Sequence, residues 1–261
     1  MAHSVPILMY HSVDTDSASR FRRWTVSPTQ FAEHMDWLAQ ENYRPITVSA
    51  LVSTLEQGKP LSSRCIVITF DDAFRDFLTG AMPALRQHRF PATLYAVTGY
   101  VGKSSMWLRP EGEGDRALMN WDELRTICDE GIECGAHSHT HPQLDIIPTQ
   151  KALGEITRSK ESLEAGIGRK VESFAYPHGY ASRTTRRLVR QAGFSSACCV
   201  RHALSSTTED RFALSRIMVT NDIGVAGLRS LLTDGVLPIA PPQDRLAATA
   251  WRFARRFMQV V

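Results

Sequence analysis

The chain has 261 residues, 43% hydrophobic and 22% charged, with 16 Gly and 13 Pro. That is the make-up of an ordinary globular protein of one large or two small domains, and it excludes disordered and collagen-like chains. The 30 Lys and Arg stand against 27 Asp and Glu, a net charge of +3, so no single-sign field points to nucleic acid as a partner. No apolar run approaches the ~18 residues that span a bilayer. The segment MAHSVPILMYHSVD has no cationic stretch ahead of its short apolar run, so a cytoplasmic location is expected, with export by another route left open. Five cysteines without a C-x-x-C pair read as reduced, buried packing residues.

In chain order, Ser27-Pro28 followed by Phe31, Met35 and Leu38 predicts a capped helix with one apolar face. Residues 66–70 and 92–97 are short apolar runs of the kind that form buried parallel strands. Residues 104–117 carry Pro110, Gly112 and Gly114 among charges and read as a loop insertion. Asn120 is placed to cap a helix with Trp121, Leu124 and Ile127 that stops at Gly131 before a strand over 132–136. A helix over 149–165, a strand over 172–176, a helix over 182–192 ending at Gly193 and a strand over 194–200 follow. This alternation predicts an α/β fold, a closed or nearly closed distorted (β/α) barrel with a parallel sheet and no second domain. Residues 1–236 would form this one domain, and 237–261 a Pro-rich linker and a basic amphipathic C-terminal helix.

Three polar clusters fall where predicted strands end: Asp71-Asp72, the run from His137 to His141, and Tyr176-Pro177-His178-Gly179. In parallel barrels that rim carries the active site. Two imidazoles and one carboxylate with a fourth position left to water are a common catalytic zinc set, and Asp72, His137 and His141 supply them. Pro142 disfavours the α conformation at His141, so the segment is expected as a bent loop rather than a helix. Adjacent carboxylates repel unless a cation or proton lies between them. Alternation sends them different ways, leaving Asp71 as a base for water beside the metal. Taken singly, Asp-Asp at a strand end also serves as a helix cap, and H-x-x-x-H recurs by chance.

TFDDA (69–73), GAHSHTHP (135–142) and FAYPHG (174–179), in that order, resemble the motifs of the polysaccharide deacetylases, the NodB-homology or carbohydrate esterase family 4 group. ILMYHSVD (7–14) and LSRIMV (214–219) are similar to its poly-N-acetylglucosamine deacetylase branch, so the resemblance spans roughly residues 5–235. It implies a distorted (β/α) barrel of about seven strands and removal of N-acetyl groups from an amino-sugar substrate with release of acetate. It also implies a divalent metal ion, Zn2+ above others, on Asp72, His137 and His141, with Asp71 as general base. The His178 amide would bind the oxyanion, with Tyr176 and Pro177 forming the groove wall.

The chain departs from the family at three places. Ala175 stands where many members carry the Arg that holds the base, and Arg216 is the candidate replacement. No late L-x-H segment is present, and the resemblance to the poly-N-acetylglucosamine deacetylase branch implies that the His of the M-Y-H segment, His11, is the general acid in its place; its alternative is a core histidine. Ala73 replaces a usual Gly. Trp121 and Trp107 are candidates for stacking on a sugar face, and packing serves Trp121 equally. The tail from Arg245, with Trp251, Phe253, Phe257, Arg252, Arg255 and Arg256, would dock on the barrel or make peripheral contact with an anionic membrane surface. Two other readings are hydrolysis of another linear amide and a catalytically silent carbohydrate-binding protein.

Overall fold

A computed structural model of the chain describes residues 4–240 and Arg255. In chain order its main elements are β1 (Ile7–Tyr10), α1 (Pro28–Gln40), β2 (Arg44–Ile46), α2 (Val48–Glu56), β3 (Cys65–Phe70), α3 (Met82–His88), β4 (Thr93–Ala96) and α4 (Trp121–Asp129). There follow β5 (Glu133–Ala136), α5 (Thr149–Ile167), β6 (Ser173–Ala175), α6 (Arg183–Gln191), β7 (Ser196–Cys198), β8 (Ile217–Met218) and α7 (Val225–Thr233).

The helix signals act as their chemistry requires. The Gln30 amide donates to Ser27 Oγ at 3.1 Å, with Pro28 at the first helical position of α1. Asn120 and Glu123 exchange side-chain and backbone hydrogen bonds of 2.9 Å, closing a capping box at the start of α4. Gly131 then turns the chain at φ +91°.

The sheet order is β7-β6-β5-β4-β3-β1-β8, with β2 also on β3, and every pair is parallel. The segment 214–218 reaches both edges of this curled sheet. Leu214 bridges Cys198 of β7, and Ile217 pairs with Leu8 of β1. The expected distorted barrel is present.

Strand alternation separates two apolar layers. Val5, Ile7, Val67, Tyr95, Ala175, Cys198 and Leu214 pack together inside the barrel, and Val48, Leu51 and Val52 of α2 join them. Their neighbours Leu8, Tyr10, Ile66, Ile68, Phe70, Phe174 and Ile217 face the helices. All six residues of β3 are buried, which explains its unbroken apolar run.

All five cysteines are free and buried, as expected. Among the described residues no helix is long and apolar enough to cross a membrane. The expected linker does not begin at 237. The Leu204 amide donates to Pro238 O at 3.0 Å and the Ala240 amide to Leu204 O at 2.9 Å, with Leu237 and Ala240 buried, so the chain packs on the body to Ala240. The expected C-terminal helix and its membrane contact lie outside the described residues, Arg255 excepted.

Candidate active site

The sheet's alternation aims the site. Positions 65 and 67 of β3 pack inside the barrel and 66, 68 and 70 outside, so Thr69 and Asp71 fall on the inward parity. The same count places Met9 in β1 and His11 just beyond it, His137 beyond β5, and Arg216 and Met218 around β8 on the inner side. Sharp backbone turns then gather the rest. Asp72, Ala73, Ser138, His141 and His178 all have positive φ, between 56° and 75°, a conformation that costs a non-glycine residue roughly 1–2 kcal/mol. The left-handed Ala73 shows why glycine suits that position. His141, ahead of Pro142, lies in a bent loop, as expected.

His137 Nδ1 meets the Ala175 carbonyl at 2.8 Å, which places the proton on Nδ1 and leaves Nε2 as a ligand. His137 Nε2 lies 3.7 Å and His141 Nε2 3.4 Å from Asp72 Oδ1. The three ligand atoms all lie within 4.8 Å of one another and all three residues are buried. Donors each ~2.1 Å from one tetrahedral zinc stand about 3.4 Å apart, so the set fits a single cation. Asp72 Oδ1 and His141 Nδ1 are buried without a hydrogen-bond partner. Burial and the adjacent Asp71 push the Asp72 carboxyl well up, a penalty that a cation removes. Burial pushes both imidazoles down, toward the neutral form that ligates metal.

Asp71 has a different partner. Arg216, fully buried, forks onto its two oxygens at 2.6 and 2.7 Å, and the same guanidinium donates to Thr69 Oγ1 at 3.2 Å and the Cys199 carbonyl at 3.3 Å. Burial alone would raise the Asp71 carboxyl; Arg216 and His137 outweigh it and hold it at about 2. The His11 ring packs on Trp24 with centroids 5.0 Å apart, its Nδ1 has no partner, and burial lowers it to about 4.

Asp71, Asp72, His11, His137, His141 and His178 line one cavity of about 300 Å³, and Arg216 stands behind Asp71. Four residues expected to contact substrate do not line it: Tyr176, Pro177, Trp121 and Trp107. Tyr176 falls on the outward parity: it is wholly buried and its hydroxyl donates to the Phe212 carbonyl at 2.9 Å. Pro177 is buried beside it. Trp121 lies against Gly166 of α5, so closely that a Cβ there would stand 2.2 Å from its ring, and it packs on the main core. Trp107 instead stacks on His141, with centroids 5.2 Å apart.

The cavity includes residues that the sequence did not single out: Phe21, Trp24, Leu108, Glu111, Tyr180 and Met218. Met218 was reachable from its parity with Arg216, and Tyr180 from its place just past FAYPHG. Glu155 of α5 carries no motif. It accepts from the amides of His139 and Thr140 at 3.0 and 2.7 Å and from the Thr140 hydroxyl at 2.8 Å, holding the loop between the two histidine ligands. Arg255 is buried rather than turned to a membrane. It pairs with Asp145 at 2.6 and 3.0 Å and lies 3.5 Å over the Tyr180 ring.

The polysaccharide deacetylase family profile matches residues 58–197, more than half of the sequence. The chain belongs to the polysaccharide deacetylase family. As a member it is a hydrolase that works with a divalent metal, and Asp72, His137 and His141 are the residues able to hold one. The matched span contains that set, Asp71 and His178; His11 and Arg216 lie outside it. YxkH of Bacillus subtilis (strain 168), which carries the same family name, is 26% identical over 216 residues, 83% of this chain and 71% of its own. A poly-β-1,6-N-acetyl-D-glucosamine N-deacetylase of Staphylococcus aureus (strain MRSA252) is 20% identical over 79% of this chain and 71% of its own. Among solved structures, the deacetylase PplD of Streptococcus pyogenes superposes with a TM-score of 0.77 at 21% identity, over 89% of this chain and 99% of its own. IcaB from Ammonifex degensii gives 0.74 at 21%, over 89% and 98%. These two show the fold.

Proposed function

We propose that the protein hydrolyses the acetamido group of an N-acetylated amino sugar, with zinc as its metal, releasing acetate and a free amine. The observation that carries this reading is the pairing, in one cavity, of a three-residue cation cluster with a second carboxylate clamped by arginine. A zinc ion held there supplies Lewis-acid polarisation of a carbonyl and acidifies water.

The chain's own residues supply the proton traffic. Asp71 stays ionised at neutral pH because Arg216 outweighs its burial, so its carboxylate is available to take the proton of the attacking water. The Arg216 fork fixes the direction in which those oxygens face. His11 is neutral in the resting site, and its partnerless Nδ1 leaves one ring nitrogen for the leaving group. The proton that Asp71 takes from the water is the one the departing nitrogen needs, and His11, on the same cavity, is assigned to relay it there and ends neutral again. The His178 amide is assigned to the oxyanion. The sugar face would rest on the rings of Trp24 and Phe21. The named activity of the S. aureus relative supports the amino-sugar substrate.

The test is acetate release from short N-acetylglucosamine oligomers, with chelator and with zinc restored. Release that chelator stops, and that Asp71→Asn abolishes with metal still bound, is the expected result. Metal-loaded protein that releases no acetate from any oligomer would overturn the substrate, and near-normal turnover by Asp71→Asn would overturn the base.

A further inference from the structure

We infer that Glu111 is a substrate-recognition residue, its free carboxylate oxygen accepting a hydrogen bond from a donor group of the amino sugar. The inference rests on the amino-sugar reading above and adds to it a selectivity contact outside the metal and proton machinery.

Glu111 ends the 3-10 turn Met106–Glu111 within the insertion 104–117, and it lines the same cavity as Asp72, His137 and His141. Its Oε2 is shielded from solvent and has no hydrogen-bond partner. The contrast with Glu113, two residues on, is direct. Glu113 accepts from Arg116 Nε at 2.9 Å and from the Ala18 amide, so its carboxylate builds the fold. An unpaired buried acceptor loses its water without replacement, and native structures keep few of them. Among the described residues eight such side-chain atoms occur, and five belong to His11, Asp72, Trp107, Glu111 and His141. Asp72 has the metal to satisfy it and His11 the leaving group, while His141 faces Asp72 with Nε2 and keeps its Nδ1 unfilled. Glu111 has neither.

The turn that carries Glu111 is held firmly. Ser104 and Ala117 close the insertion with an antiparallel bridge, and Ser105 Oγ donates to the Glu113 carbonyl at 2.5 Å. Arg116 ties it to Asp76 and Ser12 at 2.8 and 2.9 Å, and Arg20 donates to the Pro110 carbonyl at 3.0 Å. Trp107, on the same turn, stacks on His141 and has a buried Nε1 without an acceptor. One short turn thus brings an unfilled acceptor and an unfilled donor beside the metal ligands. A sugar ring, with hydroxyls on neighbouring carbons and an apolar face for Trp24 and Phe21, has the matching chemistry. A ring hydroxyl and the ammonium of an already deacetylated neighbouring unit both offer the donor.

The experiment compares zinc-loaded wild type, Glu111→Ala and Glu111→Gln on a fully N-acetylated oligomer, a partly deacetylated oligomer and 4-nitrophenyl acetate, which has no sugar. Glu111→Ala is expected to lower the ratio of kcat/KM for oligomer over aryl ester by about 10–100-fold, chiefly through KM. Its Tm should stay level or rise, since a merely structural carboxylate would lower it. A loss on the fully acetylated oligomer, partly recovered by Glu111→Gln, identifies a hydroxyl donor; a loss confined to the partly deacetylated oligomer identifies the ammonium. An unchanged ratio, or an equal fall on oligomer and ester, overturns the inference while wild-type oligomer turnover upholds the substrate. Wild type that cleaves only the ester overturns both.

Discussion

Arg216 and Asp71, 145 residues apart in sequence, form a two-bond ion pair sealed inside the barrel, with oxygen–nitrogen distances of 2.6 and 2.7 Å. Arg216 belongs to the segment that pairs with both β7 and β1, so the link that completes the barrel is also the one that holds the proposed base. Removing one partner of a buried pair strands the other charge, at about 3–5 kcal/mol. Arg216→Met should therefore lose stability of that order in chemical denaturation. Arg216→Lys keeps the charge but not the fork, and is expected to fold while kcat for acetate release falls about 100-fold. Lysine turnover equal to wild type would show that the fork geometry is dispensable.

Glu155 touches no proposed ligand atom, yet it secures the amides of His139 and Thr140 between the two histidines. Supporting groups of this kind typically change metal affinity 10–100-fold when lost. Glu155→Ala is expected to weaken zinc binding by that factor in a competitive chelator titration. It should also shrink the stabilisation that zinc gives wild type, which linkage sets at about 2.7 kcal/mol when zinc is at 100 times Kd and which is read as a rise in Tm. An unchanged zinc affinity would remove Glu155 from the site.

His34, which does not line the cavity, offers a pH test. Burial lowers it to about 4, against the opposing hydrogen bond to Ile223 O at 2.8 Å; its other ring nitrogen meets the Tyr10 hydroxyl at 3.1 Å. The unfolded chain binds this proton near pH 6.5 and the folded chain only near 4, so His34 contributes stability above 6.5 that is lost as pH falls toward 4. The loss amounts to about 3 kcal/mol. Denaturant unfolding of wild type and His34→Gln across that window should show the wild type losing about 3 kcal/mol more. Parallel curves would mean that His34 charges without opening the fold.

Tyr176 separates groove from core. Its hydroxyl satisfies the Phe212 carbonyl at 2.9 Å in a buried setting, so Tyr176→Phe should cost about 1–2 kcal/mol of stability. Its KM for oligomers should stay within about two-fold of wild type, since an energetic change of that size needs a substrate contact. A large rise in KM at unchanged stability would return Tyr176 to the groove.

The fold was readable because its signals are local. Ser27, Asn120 and Gly131 fix helix ends by caps and a left-handed turn, and the apolar run of β3 needs both faces covered. Asp71, Asp72, His137 and His141 were readable because their residue types match one chemistry and each follows a strand end. Arg216 came from asking what replaces the arginine absent at Ala175. Tyr176 was misplaced although counting by twos from Ala175 turns it outward, because the motif outweighed the alternation. Trp121 was misplaced because an aromatic at the start of a helix looks the same from sequence whether it meets a sugar or Gly166. Glu111, Glu155 and the Arg255–Asp145 pair were unreadable, since each depends on where a loop or a distant segment settles in space.

The packing of α2 under the barrel has a consequence for traffic. Val48, Leu51 and Val52 close the end away from the site, and above them Tyr95, its hydroxyl 3.4 Å from Cys198 Sγ, and the buried Arg216 fill the interior. The site is a blind well. Substrate, water and both products of an amide cleavage share one mouth, and the small acid is formed beneath the sugar that delivered it. A sugar filling that mouth would hold the acid back until the amine withdraws, so acetate is expected to inhibit competitively with substrate.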